Sequence, residues 1–383
     1  MRLDLLGGIS PKKFLHNYWQ KKPLLVRGAL PDFQGLLNRE ALIDLACRDD
    51  AQSRLITQKE GKWQVRHGPL SPRAFSRLQK EQWTLLVQDV NHFVPAARDL
   101  LLKFNFIPHS RLDDLMVSYA PEGGGVGPHF DSYDVFLLQG MGRRHWQISA
   151  QRDRKLVEDA PLKILQDFKP EREWMLEPGD MLYLPPGYAH NGVAKDRCMT
   201  YSIGFRAPTY QELATQFLIY LQDHSVISGM YRDPDISLQP HPGHISAAML
   251  RQAGTALDRI KWGRNDIERF MGIYLTEPKS HVFFRPPSHP INEQEFAYRV
   301  AQTGLELSLK SRMLWKEKKV FINGEVYAVG AAARRLLAKL ADHLVLPRTK
   351  NPDSEALALL YQWYLDGYVE LTIAESDPIS TSP

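Results

Sequence analysis

The stretch from Leu115 to Phe205 constrains the fold more than any other. Short apolar runs recur in it, at Leu115–Tyr119, Val135–Gln139, His145–Ile148, Trp174–Leu176, Met181–Leu184 and Met199–Phe205. Turn signals lie between them: Gly123-Gly124-Gly125, Gly140-Met141-Gly142, Pro178-Gly179-Asp180 and Pro185-Pro186-Gly187. Runs this short fit strands better than helices, and Gly and Pro at the breaks let the chain reverse. Many short strands joined by such turns predict an all-β barrel or sandwich.

The flanks read differently. Ser10 as N-cap and Pro11 at the first helical position predict a helix over Ser10–Trp19. A short strand follows at Leu24–Val26, ending at Gly28, then a helix over Arg39–Ala46. From Tyr210 to about Leu275 the spacing of Leu213, Phe217, Leu218 and Leu221, and later of Met249, Leu250, Leu257 and Ile260, is helical. A Pro-rich stretch at Pro286–Pro290 reads as a linker. Beyond it, helices are predicted at Glu293–Gln302, Ala331–Leu346 and Ser354–Asp366. A hairpin, Val320–Ile322 and Val326–Ala328, is joined by Asn323-Gly324. Helices with one small hairpin fit a winged-helix-like module. A Ser/Pro-containing tail follows Glu375.

With 383 residues the chain exceeds one ordinary domain of about 100–200 residues. The predicted units are 1–208, 209–290 and 291–383. Only two cysteines occur, Cys47 and Cys198, in no Cys-x-x-Cys pattern. That excludes a disulfide framework or a thiolate zinc site and predicts a reducing, cytoplasmic setting. The start is broken by Asp4 and Gly7-Gly8, too early for a signal peptide. No apolar run approaches the roughly 20 residues a bilayer span needs. The net charge of +4 is compatible with a nucleoprotein partner without establishing one.

The chemistry concentrates in Pro128-His129-Phe130-Asp131. Strand positions i and i+2 share a face, so His129 and Asp131 are predicted to point inward together. His190, after Pro185-x-Gly187, is the third candidate. Two His and one carboxylate fill one face of an octahedron and leave three positions open, the donor set of non-haem Fe(II) oxygenases. A lone His-x-Asp is more often a surface or core pair. Here it follows a Gly-rich loop and opens a strand, and His190 follows a Gly-Asp turn, a strand and Pro-x-Gly.

These residues resemble the two cupin motifs. Gly123, five residues, then His129 is similar to the first; Gly179, five residues, Pro185, one residue, Gly187, two residues, then His190 is similar to the second. Asp131 stands where the first motif usually has a second His, the variation of JmjC oxygenases, and Ala194 replaces the Asn that often ends the second motif. Segments Tyr18–Leu24, Gly124–His129, Ser132–Phe136, Gly142–Trp146 and Tyr201–Pro208 resemble the bacterial ribosomal oxygenases over most of residues 1–208, and more loosely in domain order beyond.

The resemblance implies an α+β chain. A double-stranded β-helix of cupin/JmjC jelly-roll type comes first, then a helical dimerisation region, then a winged-helix-like domain. It implies Fe(II) held by His129, Asp131 and His190, with 2-oxoglutarate and dioxygen as cosubstrates. The substrate would be an arginine of a large-subunit ribosomal protein, the sixteenth, and the protein a homodimer. In the family pattern Arg144 clamps the cosubstrate carboxylate, as a guanidinium fork suits; Ser118 matches a second contact. By alternation only one of Arg143 and Arg144 points inward, and Arg143 is predicted exposed. His145 is expected to face away from Arg144. Trp146 is expected in the core, and His67, His92 and His109 at ordinary polar positions. Tyr133 and Asp134 either line the substrate mouth or are structural.

Rivals share parts of this pattern. A histidyl or asparaginyl hydroxylase or a lysyl demethylase of JmjC type would carry the same triad. A non-enzymatic metal-binding cupin regulator would need no dicarboxylate clamp. A small-molecule cupin isomerase or dioxygenase would need no large C-terminal additions. Residues 301–350 hold ten Lys/Arg and four Asp/Glu, but charge runs are usually solvated faces, and direct nucleic-acid binding does not follow.

Overall fold

In the computed structural model, the described residues are 4–59, 61–76, 78 and 82–372. Met1–Leu3 and the tail after Glu375 lie outside them. Two antiparallel sheets form the jelly roll. The larger runs, in spatial order, Leu24–Val26, Met181–Leu184, Asp134–Met141, Cys198–Phe205, Leu112–Ala120, Trp83–Val87, Ser53–Lys59 and Lys62–His67. The smaller runs His129–Phe130, Ala189–Ala194, Arg144–Ser149 and Arg172–Leu176.

The period-2 alternation sorts side chains to the two faces of the large sheet. Phe136 and Leu138 face outward into a core with Phe14, Phe104 and Tyr183, covered by the helices Pro11–Asn17, Arg39–Ala46 and Pro95–Leu102. Val135 and Leu137 face inward and meet Trp146 and Ile148 of the small sheet. Between the sheets, the space not filled by these apolar residues is the cavity described below.

The winged-helix part has its own core, built on Phe296, Val300, Leu337, Leu340, Leu360 and Trp363. The Asn323-Gly324 turn has positive φ at both residues, +49° and +86°, as a two-residue hairpin requires. The helix Arg264–Thr276 faces two ways. Phe270 packs with Tyr220 and Leu221, whereas a Cβ at Gly272 would fall 2.3 Å from the Phe321 ring. No helix among the described residues is long and apolar enough to cross a membrane.

Several expectations differ from the fold. The run Ala331–Leu346 is not one helix. It ends at His343, Leu344 takes a left-handed φ of +60°, and Val345–Leu346 pairs with Leu305–Glu306. Helix propensity yields there to a strand pairing set by tertiary context. Strands Ser53–Lys59, Lys62–His67 and Trp83–Val87 were not anticipated, nor was Met313–Lys316, which adds a third strand to the hairpin.

Candidate metal centre and substrate cavity

His129 and His190 are direct register partners across the antiparallel pair His129–Phe130 and Ala189–Ala194. Asp131 follows at the strand end. One ligand atom from each of the three lies within 4.8 Å of the others, and His190 Nε2 stands 3.6 Å from Asp131 Oδ2. Backbone carbonyls orient both rings. Gly127 O takes the bond from His129 Nδ1 at 2.8 Å, and Tyr188 O from His190 Nδ1 at 3.0 Å. A carbonyl only accepts, so each Nδ1 carries a proton, which leaves Nε2 as the ring atom that can serve as a metal ligand. Gly127 holds its carbonyl there with φ of +89°. Burial, and then the nearby His129, lower the His190 pKa to about 4, so its ring is neutral.

The three donors open onto a cavity of about 450 Å³ between the sheets. Arg144 lines it as the inward member of its pair, 3% exposed. Its Nε lies 3.4 Å from Cys198 Sγ, and its Nη2 is buried without a partner. Arg143 instead binds Asp196 at the surface, 3.0 Å away. Ser118 also lines the cavity, its hydroxyl 3.5 Å from Thr200 O. A set of two imidazoles and one carboxylate suits Fe(II). A buried guanidinium nitrogen without a partner suits the far carboxylate of a dicarboxylic cosubstrate.

The cavity holds charges that the sequence reading missed, Arg54, Asp113, Asp114 and Lys163, and of these only Asp114 is buried. Asp114 is 8% exposed and lies on the same strand face as Met116 and Ser118. Its carboxylate accepts from the Asp89 N–H at 3.2 Å, and no basic side chain forms an ion pair with it among the described residues. Burial raises its pKa to about 7; Lys279 opposes the rise, and Asp89 and Asp113 add to it. Register separates it from Arg144. Arg144 reaches Cys198, opposite Ala120, whereas Asp114 lies near Gly204, where a Cβ would meet its Oδ1 at 3.2 Å. The signal for Asp114 was two consecutive carboxylates inside an otherwise apolar strand, with Asp114 four residues before Ser118.

Other side chains sort as follows. Tyr133 lines the cavity. Asp134 does not: it is fully buried and accepts from Tyr183 Oη at 2.6 Å and Gln20 Nε2 at 2.9 Å. Trp146 is in the core and also on the cavity wall, its ring 5.8 Å from that of His190. His145 faces away, 3.4 Å from Glu173. His67 is exposed as expected, but His92 and His109 are not ordinary surface residues. His92 is buried, and burial lowers its pKa to about 4. His109 bridges Asn105 and the Ala341 carbonyl of the winged-helix part.

Residues 99–213 match the JmjC domain family, and residues 255–370 the ROXA-like winged helix. Ribosomal protein uL16 3-hydroxylase of Escherichia coli (strain K12) is 33% identical over 361 residues, which are 93% of this chain and 96% of that protein. The chain belongs to the ribosomal oxygenase family. A probable ribosomal oxygenase of Haemophilus influenzae is 40% identical over 236 residues, 60% of this chain and 56% of that one. Among solved ribosomal oxygenases, E. coli YcfD superposes with a TM-score of 0.82 at 31% identity, covering 94% of this chain and 98% of that one. A YcfD structure in complex with cobalt and 2-oxoglutarate superposes with a TM-score of 0.80 at 31% identity, again covering 94% and 98%.

Proposed function

We propose that this protein is an Fe(II)- and 2-oxoglutarate-dependent dioxygenase that hydroxylates an arginine side chain of the large-subunit ribosomal protein uL16. The observation that carries this reading is one cavity with a buried guanidinium and a buried carboxylate at its two ends, neither in an ion pair among the described residues; Arg54 also lines it. Arg144 Nη2 at one end suits a dicarboxylate, and Asp114 at the other suits a guanidinium. A buried charge is costly without a partner, so each end favours a ligand of opposite sign.

In this reading His129 Nε2, His190 Nε2 and the Asp131 carboxylate hold Fe(II), and Arg144 with Ser118 holds the cosubstrate. The iron and 2-oxoglutarate, when bound with dioxygen, supply the oxidising power to hydroxylate an unactivated carbon. The chain supplies the rest. Asp131 brings negative charge to the cation. The Gly127 and Tyr188 carbonyls lock the imidazole orientation. Trp146, Val135 and Leu137 keep that wall apolar. Asp114 anchors the cationic substrate tip while Tyr133 and Met116 flank its path.

Incubation with uL16 of the same organism, Fe(II) and 2-oxoglutarate is expected to add one oxygen atom to one arginine, read by peptide mass spectrometry. Succinate formed without oxidised uL16 would refute the substrate. Asp131→Ala that kept substrate-coupled succinate release would refute the metal assignment. A non-enzymatic regulator fits less well, because it has no use for a buried, unpaired Arg144.

We also infer a homodimer through residues 209–290. The helix Ala247–Leu257 buries none of its residues, and Leu218, Val226, Leu238, Leu250 and Leu257 are all exposed. Apolar exposure on this scale marks an interface. Light scattering is expected to report a dimer mass, and the double variant Leu250→Glu, Leu257→Glu a monomer; a wild-type monomer would refute it. On this reading the protein works in the cytoplasm.

A further inference from the structure

Asp114 forms no ion pair among the described residues, yet charge is packed around it, Lys279 foremost. Three basic side chains from separate parts of the chain converge on its neighbour Asp113. Arg206 Nε lies 3.5 Å from Asp113 Oδ1, Lys279 Nζ 3.3 Å and Arg312 Nη2 3.4 Å. Burial alone would raise the Asp113 pKa, but Lys279, Arg312 and Arg206 together pull it below the ordinary value. Asp113 is thus ionised and paired with three cations, while Asp114 beside it has no ion pair among the described residues.

Two of these cations do more than pair charge. Arg312 Nη1 donates to the Leu112 carbonyl at 3.2 Å, and Nη2 donates to the Asp113 carbonyl. Those are the two backbone carbonyls immediately before Asp114. Lys279 Nζ donates to Asp89 Oδ1 at 2.8 Å, and His281 Nε2 lies 3.2 Å from Asp89 Oδ2. Asp89 has a left-handed φ of +51°, and its N–H is the donor to the Asp114 carboxylate. The backbone of Asp114 is held through Arg312, and its carboxylate through Asp89 and Lys279. Both braces come from beyond the jelly roll.

Buried ion pairs add little net stability, because desolvation offsets the attraction, whereas their geometry is demanding. A cluster that ends on a buried cavity carboxylate without an ion pair among the described residues therefore acts on position. We propose that Arg312 and Lys279 are positioning residues for the substrate arginine, so that the winged-helix part and the segment before it complete the substrate end of the cavity without touching the substrate. The inference rests on Asp114 as the guanidinium-binding carboxylate.

The test uses the full chain and uL16, with Arg312→Ala and Lys279→Met. Titration calorimetry of uL16 into the metal-free protein is expected to show binding weakened about tenfold in each variant, and turnover a KM for uL16 raised about tenfold with the KM for 2-oxoglutarate within about twofold of wild type. Should Arg312→Ala fail to fold, Arg312→Lys keeps the charge but cannot span both carbonyls, and reads the same contact. Wild-type affinity for uL16 in both variants would overturn the inference and leave the substrate reading standing. A KM for 2-oxoglutarate rising in step with that for uL16 would overturn it too, since that is loss of general structure. A wild-type protein that neither binds nor oxidises uL16 would overturn the substrate reading and this inference with it.

Discussion

Replacing Asp114 by Asn should move stability and activity in opposite directions. The carboxylate is 8% exposed with one hydrogen-bond donor, and its pKa rises from the ordinary 3.8 to about 7. At about 1.4 kcal/mol per pKa unit, the ionised form costs the fold about 4 kcal/mol at most. The stability lent by the protonated form is fully present below pH 3.8. It is lost as pH rises through about 7. Asn is neutral throughout and its Oδ1 can still accept from the Asp89 N–H. Asp114→Asn should therefore match wild type near pH 4 and exceed it at pH 8 by up to that amount. Activity should fall instead. Losing one partner of a desolvated charge pair costs about 2–5 kcal/mol, or about 30-fold to a few thousand-fold in kcat/KM for uL16. Wild-type affinity for uL16 should strengthen as pH rises through about 7, and the variant should lose that dependence. The assays are urea unfolding at the two pH values and mass-spectrometric turnover. A variant less stable than wild type at pH 8, with kcat/KM within about threefold, would refute the reasoning.

Further expectations follow from the other end of the cavity and its walls. Arg144→Met should raise the KM for 2-oxoglutarate about 100-fold or more, since two charge-assisted hydrogen bonds at about 1.5–3 kcal/mol each are lost; thermal stability should change little, because Arg144 forms no ion pair among the described residues and gives up the Nε contact with Cys198 Sγ. Gly127→Ala forces a side chain to φ +89° with its Cβ 2.7 Å from Trp63. It should cost about 1–3 kcal/mol of stability and loosen metal binding through His129, read by a Co(II) titration. Gly204→Val should block uL16 without changing 2-oxoglutarate affinity, since its Cβ would stand 3.2 Å from Asp114 Oδ1. Unchanged uL16 turnover would show that the substrate enters elsewhere.

What the sequence determined by itself was local and periodic. Strands separated by Gly and Pro turns read directly as an all-β barrel or sandwich, because each run needs only its own alternation and breaks. The same two-residue period put His129 and Asp131 on one face and allowed only one of Arg143 and Arg144 to point inward; the family resemblance assigned that place to Arg144. Asn323-Gly324 announced its hairpin through the positive φ that such a turn demands. The second family match, over residues 255–370, covers the part where helices with one small hairpin were predicted.

Tertiary structure decided the substrate end. Asp114 looks like any strand carboxylate until its surroundings are known, and its charge state depends on Asp89 and Lys279, 25 and 165 positions away. The strands Ser53–Lys59 and Trp83–Val87 bring Arg54 and Leu86 to the cavity from outside the punctuated stretch Leu115–Phe205. Leu344 leaves its helix for a strand pairing that only the folded partner offers. Periodicity records which face a residue takes, but the field at a buried carboxylate sums over groups distant in the chain, and no local pattern encodes that sum.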